Sequence, residues 1–501
     1  VAGNNSNIVN SSFTICIAKN GGDGGAIYIA GTNATVEASR FNTTQSAQGK
    51  GGAIFIAGDN ATVVDSTLVL ANSTSGGFMY IEGDNVKVLN SSMMFSYSNI
   101  VPNATGLGRG GAIFIAGDNA VISADFKFTN ATGSNGKPGN GGALFIAGTN
   151  ATVINSTFFT TIAKNCGDGG AIYIEGIDAT VKESYFDTTQ SALGRGGAIY
   201  VNGYNANVLN STFIRANSTA GGFIYIEGAR ADVLDSSFMF SSSNIIENGT
   251  GDGNGGAIYI AGDDAVVSGD FRFINATGGK GIPGHGGSIY VAGNNANITD
   301  STFFGTHARN YGFGGAIYVT GNNTYMNNDT FDNGFAYKAG AVYITGSDAT
   351  INMSNFVSNN CMDDGGAVYI TGENVKVINS NFTSNTARGL NLGTYNNTGD
   401  GGAIFWAGVN GTLTNDRFIS NKAVKNINNN TSGRGGAMYA GSSVYGNRNI
   451  TITGSYFEDN NAGTNGGALD WYAGANDGLV DTCTFIHNIA NRSGGAIFWN
   501  G

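Results

Sequence analysis

Gly24-Gly25-Ala26-Ile27-Tyr28-Ile29-Ala30-Gly31-Thr32-Asn33-Ala34-Thr35-Val36-Glu37-Ala38-Ser39-Arg40-Phe41 decides the fold. Side chains alternate at Ile27-Tyr28-Ile29, at Thr35-Val36-Glu37 and at Ser39-Arg40-Phe41, and Gly31-Thr32-Asn33 supplies a turn. A period of two is a strand signal. The opening hexad recurs, with variations, from first positions 24, 51, 76, 110, 141, 169, 196, 221, 255, 286, 314, 339, 365, 401, 435, 466 and 494, a mean spacing of about 29 residues. From each doublet to its Phe41-type residue the interval is nearly constant until Phe457, whereas the interval onward to the next doublet varies from 8 to 19 residues. One side of the unit is fixed, and the other is a loop of free length. Three short strands and no helix in such a unit describe one coil of a parallel β-helix, whose apolar edge is covered only when the next coil stacks on it. The expected fold is an all-β, single-stranded parallel β-helix (solenoid) of about 17 coils, roughly 80 Å long at about 4.8 Å per coil.

A longer period overlies the coil. Ile17-Ala18-Lys19-Asn20 returns as Ile162-Ala163-Lys164-Asn165, and the doublet spacings 27, 25, 34, 31 and 28 repeat in a second block. The chain is therefore expected to form one continuous β-helix over 1–501, with five-coil superrepeats at approximately 24–168, 169–313 and 314–465. Long loops are expected at coils 3 and 4, 8 and 9, and 13 and 14. Val1-Ala2-Gly3-Asn4-Asn5 aligns with Val291-Ala292-Gly293-Asn294-Asn295, and the last residues stop inside a doublet strand, so both ends read as uncapped. Uncapped coils suit a segment of a longer chain or subunits stacked end to end.

Stacking puts equivalent residues into columns. Nine positions after the doublet stand Asn33, Asn60, Asn85, Asn119, Asn150, Asp178, Asn205, Arg230, Asp264, Asn295, Asn323, Asp348, Asn374 and Asn410, an expected turn ladder with left-handed backbone. An outward aromatic column, Tyr28, Phe55, Tyr80, Phe114, Phe145, Tyr173, Tyr200, Tyr225, Tyr259, Tyr290, Tyr318, Tyr343, Tyr369, Phe405 and Tyr439, is broken by Asp470. Exposed, it would suit sugar stacking or lateral association; alternatively the rings stabilise one another or lie under the loops.

Composition narrows the classes of function. At 41% hydrophobic and 11% aromatic the chain can fold, and its net charge of −11 weighs against a nucleic-acid partner. No apolar run in this stretch approaches a membrane span, and no signal peptide is visible. Cys16, Cys166, Cys361 and Cys483 are too far apart in the coil order to bridge and read as single thiols. About 26 Asn-x-Ser/Thr sequons exceed a chance level of about 11 and point to secretion with glycosylation. Part of the excess is the repeat itself, as at Asn33, Asn60 and Asn150. The candidate acceptors are Asn72, Asn103, Asn130, Asn155, Asn210, Asn217, Asn248, Asn275, Asn396 and Asn430, of which Asn103, Asn130, Asn248, Asn275 and Asn396 are expected in extruded loops.

Gly-Gly-Ala-Ile with Phe-x-x-Asn resembles the repeat of polymorphic outer-membrane proteins and of adhesin-like proteins of methanogenic archaea. The pattern is fullest at Phe356/Asn359, Phe382/Asn385, Phe418/Asn421, Phe457/Asn460 and Phe485/Asn488, whereas Thr44 and Thr189 stand where Asn belongs in the first two blocks. The resemblance implies a right-handed parallel β-helix displayed at the cell surface. Its motif specifies scaffold, not ligand, and neither an autotransporter barrel nor an anchor is visible in this stretch.

Catalysis has one candidate. Asp364 and Asp400 directly precede the doublet on adjacent coils, with Asp363 beside them, and like carboxylates about 5 Å apart can form an acid–base pair or hold a cation. A solvated turn cluster is the plainer reading. In the same column Asp23 is followed by Lys50 and Asp168 by Arg195, expected opposite-charge neighbours. Gly251-Asp252-Gly253-Asn254-Gly255-Gly256 matches a dinucleotide fingerprint but precedes a strand, and in Gly278-Gly279-Lys280-Gly281-Ile282-Pro283 the proline replaces a calcium-binding Asp. His285, His307 and His487 are scattered, and no metal or cofactor is implied. The expected protein is a non-enzymatic, extracellular, adhesin-like surface protein meeting cell-surface glycans, proteins or copies of itself. The alternatives are a filament or sheath subunit and a polysaccharide-active enzyme.

Overall fold

A computed structural model describes residues 1–98, 107–132, 137–191, 193–243, 252–277, 282–390, 397–428, 431–441, 449–472 and 477–500. The chain forms two compact units, Val1–Gly251 and Asp252–Gly501. Each is an all-β parallel solenoid, and the described residues contain no helix. Doublet strands stack in register: Ile27–Ile29 on Ile54–Ile56 and Ile54–Ile56 on Met79–Ile81 in the first unit, Ile258–Ile260 on Ile289–Val291 and Ile289–Val291 on Ile317–Val319 in the second. Eight such strands belong to the first unit and nine to the second among the described residues. Much of the expected loop sequence, including 99–106, 133–136, 244–251 and 391–396, lies outside the described residues. So do Gly251 and Gly278–Gly281.

The doublet exists because neither glycine has room for a side chain. Gly24 adopts φ +65°, and a Cβ there would lie 2.2 Å from the Ile27 carbonyl oxygen. At Gly25 it would lie 2.1 Å from the carbonyl oxygen of Gly52, on the next coil. The Asn ladder takes left-handed backbone as expected, with φ of 55° at Asn33 and 56° at Asn60. Its side chains bond along the stack: Asn33 Nδ2 donates to Asn5 Oδ1 (3.0 Å), and Asn150 Nδ2 to Asn119 Oδ1 (2.8 Å). Two further left-handed corners follow at intervals of five, at Ala38 and Thr43, then at Asp65 and Leu70 on the next coil.

Ile27, Ile29, Val36 and Phe41 point into the coil and are buried. The Phe41-type rings stack as columns, for example Phe158 on Phe186 and Phe186 on Phe213 with centroids 4.7 and 4.6 Å apart. Two residues before most Phe41-type positions lies an inward serine column: Ser39 N–H donates to Ser66 Oγ, and Ser66 N–H to Ser91 Oγ, both at 3.2 Å. The Asn of Phe-x-x-Asn forms a second inward ladder. Asn385 Nδ2 donates to the Phe356 carbonyl and to Asn421 Oδ1, both at 3.0 Å. Thr44 and Thr189, at the equivalent position, bury hydroxyls without partners. The four cysteines are free thiols.

Asp329 and Asp416 interrupt the serine column. In each, Oδ1 accepts a backbone N–H, from Ser301 (2.9 Å) and Ser380 (2.8 Å), while the buried Oδ2 has no partner. Burial pushes the Asp329 carboxyl up to about 8 and that of Asp416 up to about 7. In the unfolded chain both titrate near 3.9. Between those values the unfolded state loses its proton first, so these groups erode stability as pH rises from about 4 to about 8. Asp416→Ser, which restores the column, is expected to raise the melting temperature at pH 8 and leave it nearly unchanged at pH 4. The gain at pH 8 should be about 1–4 kcal/mol. Equal effects at both pH values would show that the carboxyl is not buried as described.

Candidate functional site

The residue before the doublet and the outward aromatic column lie side by side, and each determines the exposure of the other. The rings stack from coil to coil, with centroids 4.9 Å apart for Tyr28–Phe55, 4.8 Å for Tyr259–Tyr290 and 4.5 Å for Tyr369–Phe405. Cations from the neighbouring column cover several of the rings. Lys50 Nζ lies 4.3 Å from the Tyr80 centroid, and the guanidinium carbons of Arg109 and Arg195 lie 4.7 Å from Phe145 and Tyr225. Lys338 Nζ is 4.7 Å from Tyr369. An open stripe is therefore not what these residues form. Of the tyrosines expected on it, only Tyr28 is exposed, at 44%. Tyr173, Tyr259, Tyr290 and Tyr318 are half-buried, and Tyr200, Tyr225, Tyr343 and Tyr369 are buried.

The carboxylate pair is likewise enclosed. Asp364 Oδ1 accepts the Asp400 N–H at 3.0 Å and the Thr398 hydroxyl, while Lys338 Nζ lies 3.3 Å from Oδ2 of both Asp363 and Asp364. Asp400, with 0% exposure, accepts the Arg434 N–H on Oδ1 (2.8 Å) and the Arg434 Nη2 and Nε on Oδ2 (2.6 and 3.1 Å). Burial, then Asp364, raises the Asp363 carboxyl to about 7; burial also raises Asp400, against the pull of Arg434. The column Lys338–Asp364–Asp400–Arg434 is thus an ion ladder across four coils with buried carboxylates and half-buried cations, each carboxylate accepting a backbone N–H of the next coil. Asp168 does the same with Arg195, accepting its N–H at 2.7 Å with a side-chain contact of 3.4 Å. Lys50 departs from expectation: Asp23 binds its N–H at 2.7 Å, but its ammonium reaches Glu82 at 3.1 Å. His285 is half-buried, desolvation pushes its imidazole down to about 4, and Nδ1 accepts the Phe313 N–H at 3.1 Å.

Among the sequons, Asn103, Asn248, Asn396 and Asn430 lie outside the described residues. Asn130 and Asn275 stand half-buried in the strands Asn130–Ala131 and Asn275–Ala276, not in extruded loops, because the variable segment begins after them. Asn275 Oδ1 also accepts from Arg309 Nε at 3.0 Å. Asn72 and Asn217 are half-buried within Thr67–Ser73 and Thr212–Ser218. Asn155 and Asn210 occupy exposed left-handed corners. The feature missed from sequence is the third corner, where Leu70, Phe95 and Phe240 are exposed. Its signal, a bulky residue two positions after the Phe41-type position, was present but carries no motif.

Residues 482–498 match the family model of the Chlamydia polymorphic membrane protein (Chlamydia_PMP) repeat. The matched segment contains Phe485-Ile486-His487-Asn488 and Gly494-Gly495-Ala496-Ile497, which carry the inward ladder and the doublet. Asn488 Oδ1 accepts the Asn460 N–H at 3.1 Å and its own Nδ2 donates to the Phe457 carbonyl at 2.9 Å. Comparison with curated proteins gives no match. Among solved structures the chain is similar to alginate lyase AlyF-OU02 in complex with G6, at 12% identity and TM-score 0.42 over 80% of this chain and 79% of that one. It is also similar to a PL6 alginate lyase in complex with a trisaccharide, at 11% identity and TM-score 0.39 over 83% and 79%. A third is a mutant tailspike protein of E. coli bacteriophage HK620 in complex with a hexasaccharide, at 10% identity and TM-score 0.33 over 94% and 71%.

Proposed function

We propose that this chain is a non-enzymatic, adhesin-like protein of the cell surface, a repeat scaffold that presents its loops and corners for attachment. The observation that carries the reading is the polymorphic membrane protein repeat at 482–498, whose Asn488 continues the inward ladder of Asn359, Asn385, Asn421 and Asn460. The carboxylates favour a scaffold over catalysis, since Asp364 and Asp400 already hold Lys338, Arg434 and backbone N–H groups. Antibody raised against the folded chain should label intact source cells, and the soluble chain should compete with their attachment. Labelling only after the cells are opened would refute a surface role.

Glycosylation follows from the same reading and is now site-specific. A glycan needs a reachable Asn Nδ2, so occupancy should be high at the exposed corners Asn155 and Asn210. It should be low at Asn33 and Asn150, whose Nδ2 groups donate along the ladder, and low at half-buried Asn130. Glycopeptide mass spectrometry of native material reads this ranking directly. Bare Asn155 and Asn210 beside occupied ladder positions would reverse it.

A further inference from the structure

The third left-handed corner divides the superrepeats. Over its five coils the first carries Thr43, Leu70, Phe95, Phe128 and Thr160, the second Thr188, Arg215, Phe240, Phe273 and Gly305, and the third Asn333, Ser358, Ser384, Ser420 and Asp459. Left-handed backbone disfavours bulky side chains and suits Asn and Asp, which the third block places at Asn333 and Asp459, with small serines between. The first block instead holds Leu70 at φ 57° and Phe95 at φ 60°, with 45% and 38% of their surfaces exposed. Phe240, at φ 55°, is 59% exposed. Exposed apolar side chains on strained backbone, repeated at one register, point to a binding role.

A groove accompanies them. Between this ridge and the next outward residues lies a cleft of about 220 Å³ lined by Thr43, Gln45, Leu70, Asn72, Phe95 and Tyr97. The second superrepeat has its counterpart, about 320 Å³, lined by Thr188, Gln190, Arg215, Asn217 and Phe240. Gln45 faces Asn72 across one strand pairing and Gln190 faces Asn217 across the other, so each floor is a pair of amides. Asn72 Oδ1 is buried without a hydrogen-bond partner. The lining of the first cleft includes no charged residue. In the second, Arg215 is already bound to Asp187 by Nε (2.9 Å) and Nη2 (2.5 Å).

We infer that these two clefts are equivalent subsites for a neutral glycan, one monosaccharide ring lying against the Phe95 or Phe240 side with its hydroxyls on the amide pair. A pyranose offers an apolar C–H face and a rim of paired donors and acceptors, which match a ring wall and an amide floor. About 220 Å³ is roughly seven waters' worth of space, enough for one such ring. The net charge of −11 disfavours acidic polymers. Both clefts belong to the unit Val1–Gly251, five coils or about 24 Å apart, so one long chain can engage both. The inference deepens the adhesive reading and rests on it for its biological setting.

The test is calorimetric titration of the full chain with tri- to hexasaccharides of glucose, mannose, galactose and N-acetylglucosamine. Phe95→Asn with Phe240→Asn places a turn-tolerant residue at both corners, so the melting temperature should hold or rise. Affinity for the bound sugar should fall roughly tenfold, and Gln45→Leu with Gln190→Leu should fall as far. Unchanged affinity in both double variants, no binding of any of the sugars, or native glycan covalently filling the clefts from Asn72 and Asn217 would each overturn the inference. Sugar binding that depends on the corners in a chain that does not compete with cell attachment would keep the subsites and remove the adhesive reading. Cell attachment blocked by the chain but indifferent to both double variants would do the reverse.

Discussion

Arg434→Met should cost about 3–5 kcal/mol of folding stability, because it strands a carboxylate that has no access to water. Asp400 is fully buried, and Arg434 supplies both side-chain donors to its Oδ2. The guanidinium also lies over the rings of Tyr439 and Tyr472, 4.4 and 4.3 Å from their centroids, so a packed apolar stem can replace its volume but not its charge. Asp470, nearby in the same field, has both carboxyl oxygens buried without partners and is pushed up to about 8 by burial. Without the arginine, Asp400 would be forced towards its protonated form. Its raised folded-state value then makes the loss grow as pH rises above about 4, so the deficit should be larger at pH 8 than at pH 5. Asp400→Asn in the same chain should recover much of it. Urea unfolding at both pH values measures all three quantities. A loss under about 1 kcal/mol would mean the pair behaves as a solvated surface bridge.

Ile258→Asp should be comparably severe, several kcal/mol, since it sets an unpaired charge inside the coil of the second unit. Ile258 is wholly buried and lies in register with Ile289. Tyr259, its immediate neighbour, points the other way and is half-buried in the ring stack on Tyr290. Tyr259→Ser removes a stacking partner and some apolar area, so it should cost only about 1–2 kcal/mol. Thermal unfolding of the two variants side by side tests the facing of the strand. Equal losses would mean that the alternation runs in the opposite sense.

Much of this was legible in the residues themselves. Each coil packs against a near copy of itself, so the contact partner of Ile27 or Phe41 is the equivalent residue one period away, and the repeat spacing reads as a contact map. Gly24, Gly25 and Asn33 were legible for a local reason, since the backbone at those positions admits few residue types. Burial across columns was not, because it depends on which side chain lies over which. Nothing in the spacing of Tyr200 or Tyr225 announces that Arg195 covers both, with its guanidinium carbon 5.0 and 4.7 Å from their centroids. Nor does the recurrence of Asp364 and Asp400 show that Lys338 and Arg434, on the flanking coils, hold them out of solvent. The turn from Phe126 towards Asn130 carries no sign that the chain enters a further strand at Asn130–Ala131. Period and self-stacking are properties of one column and are written along the chain, so the sequence by itself determined the solenoid. Exposure, ion pairing and the corner clefts are relations between columns, and only the tertiary structure decided them.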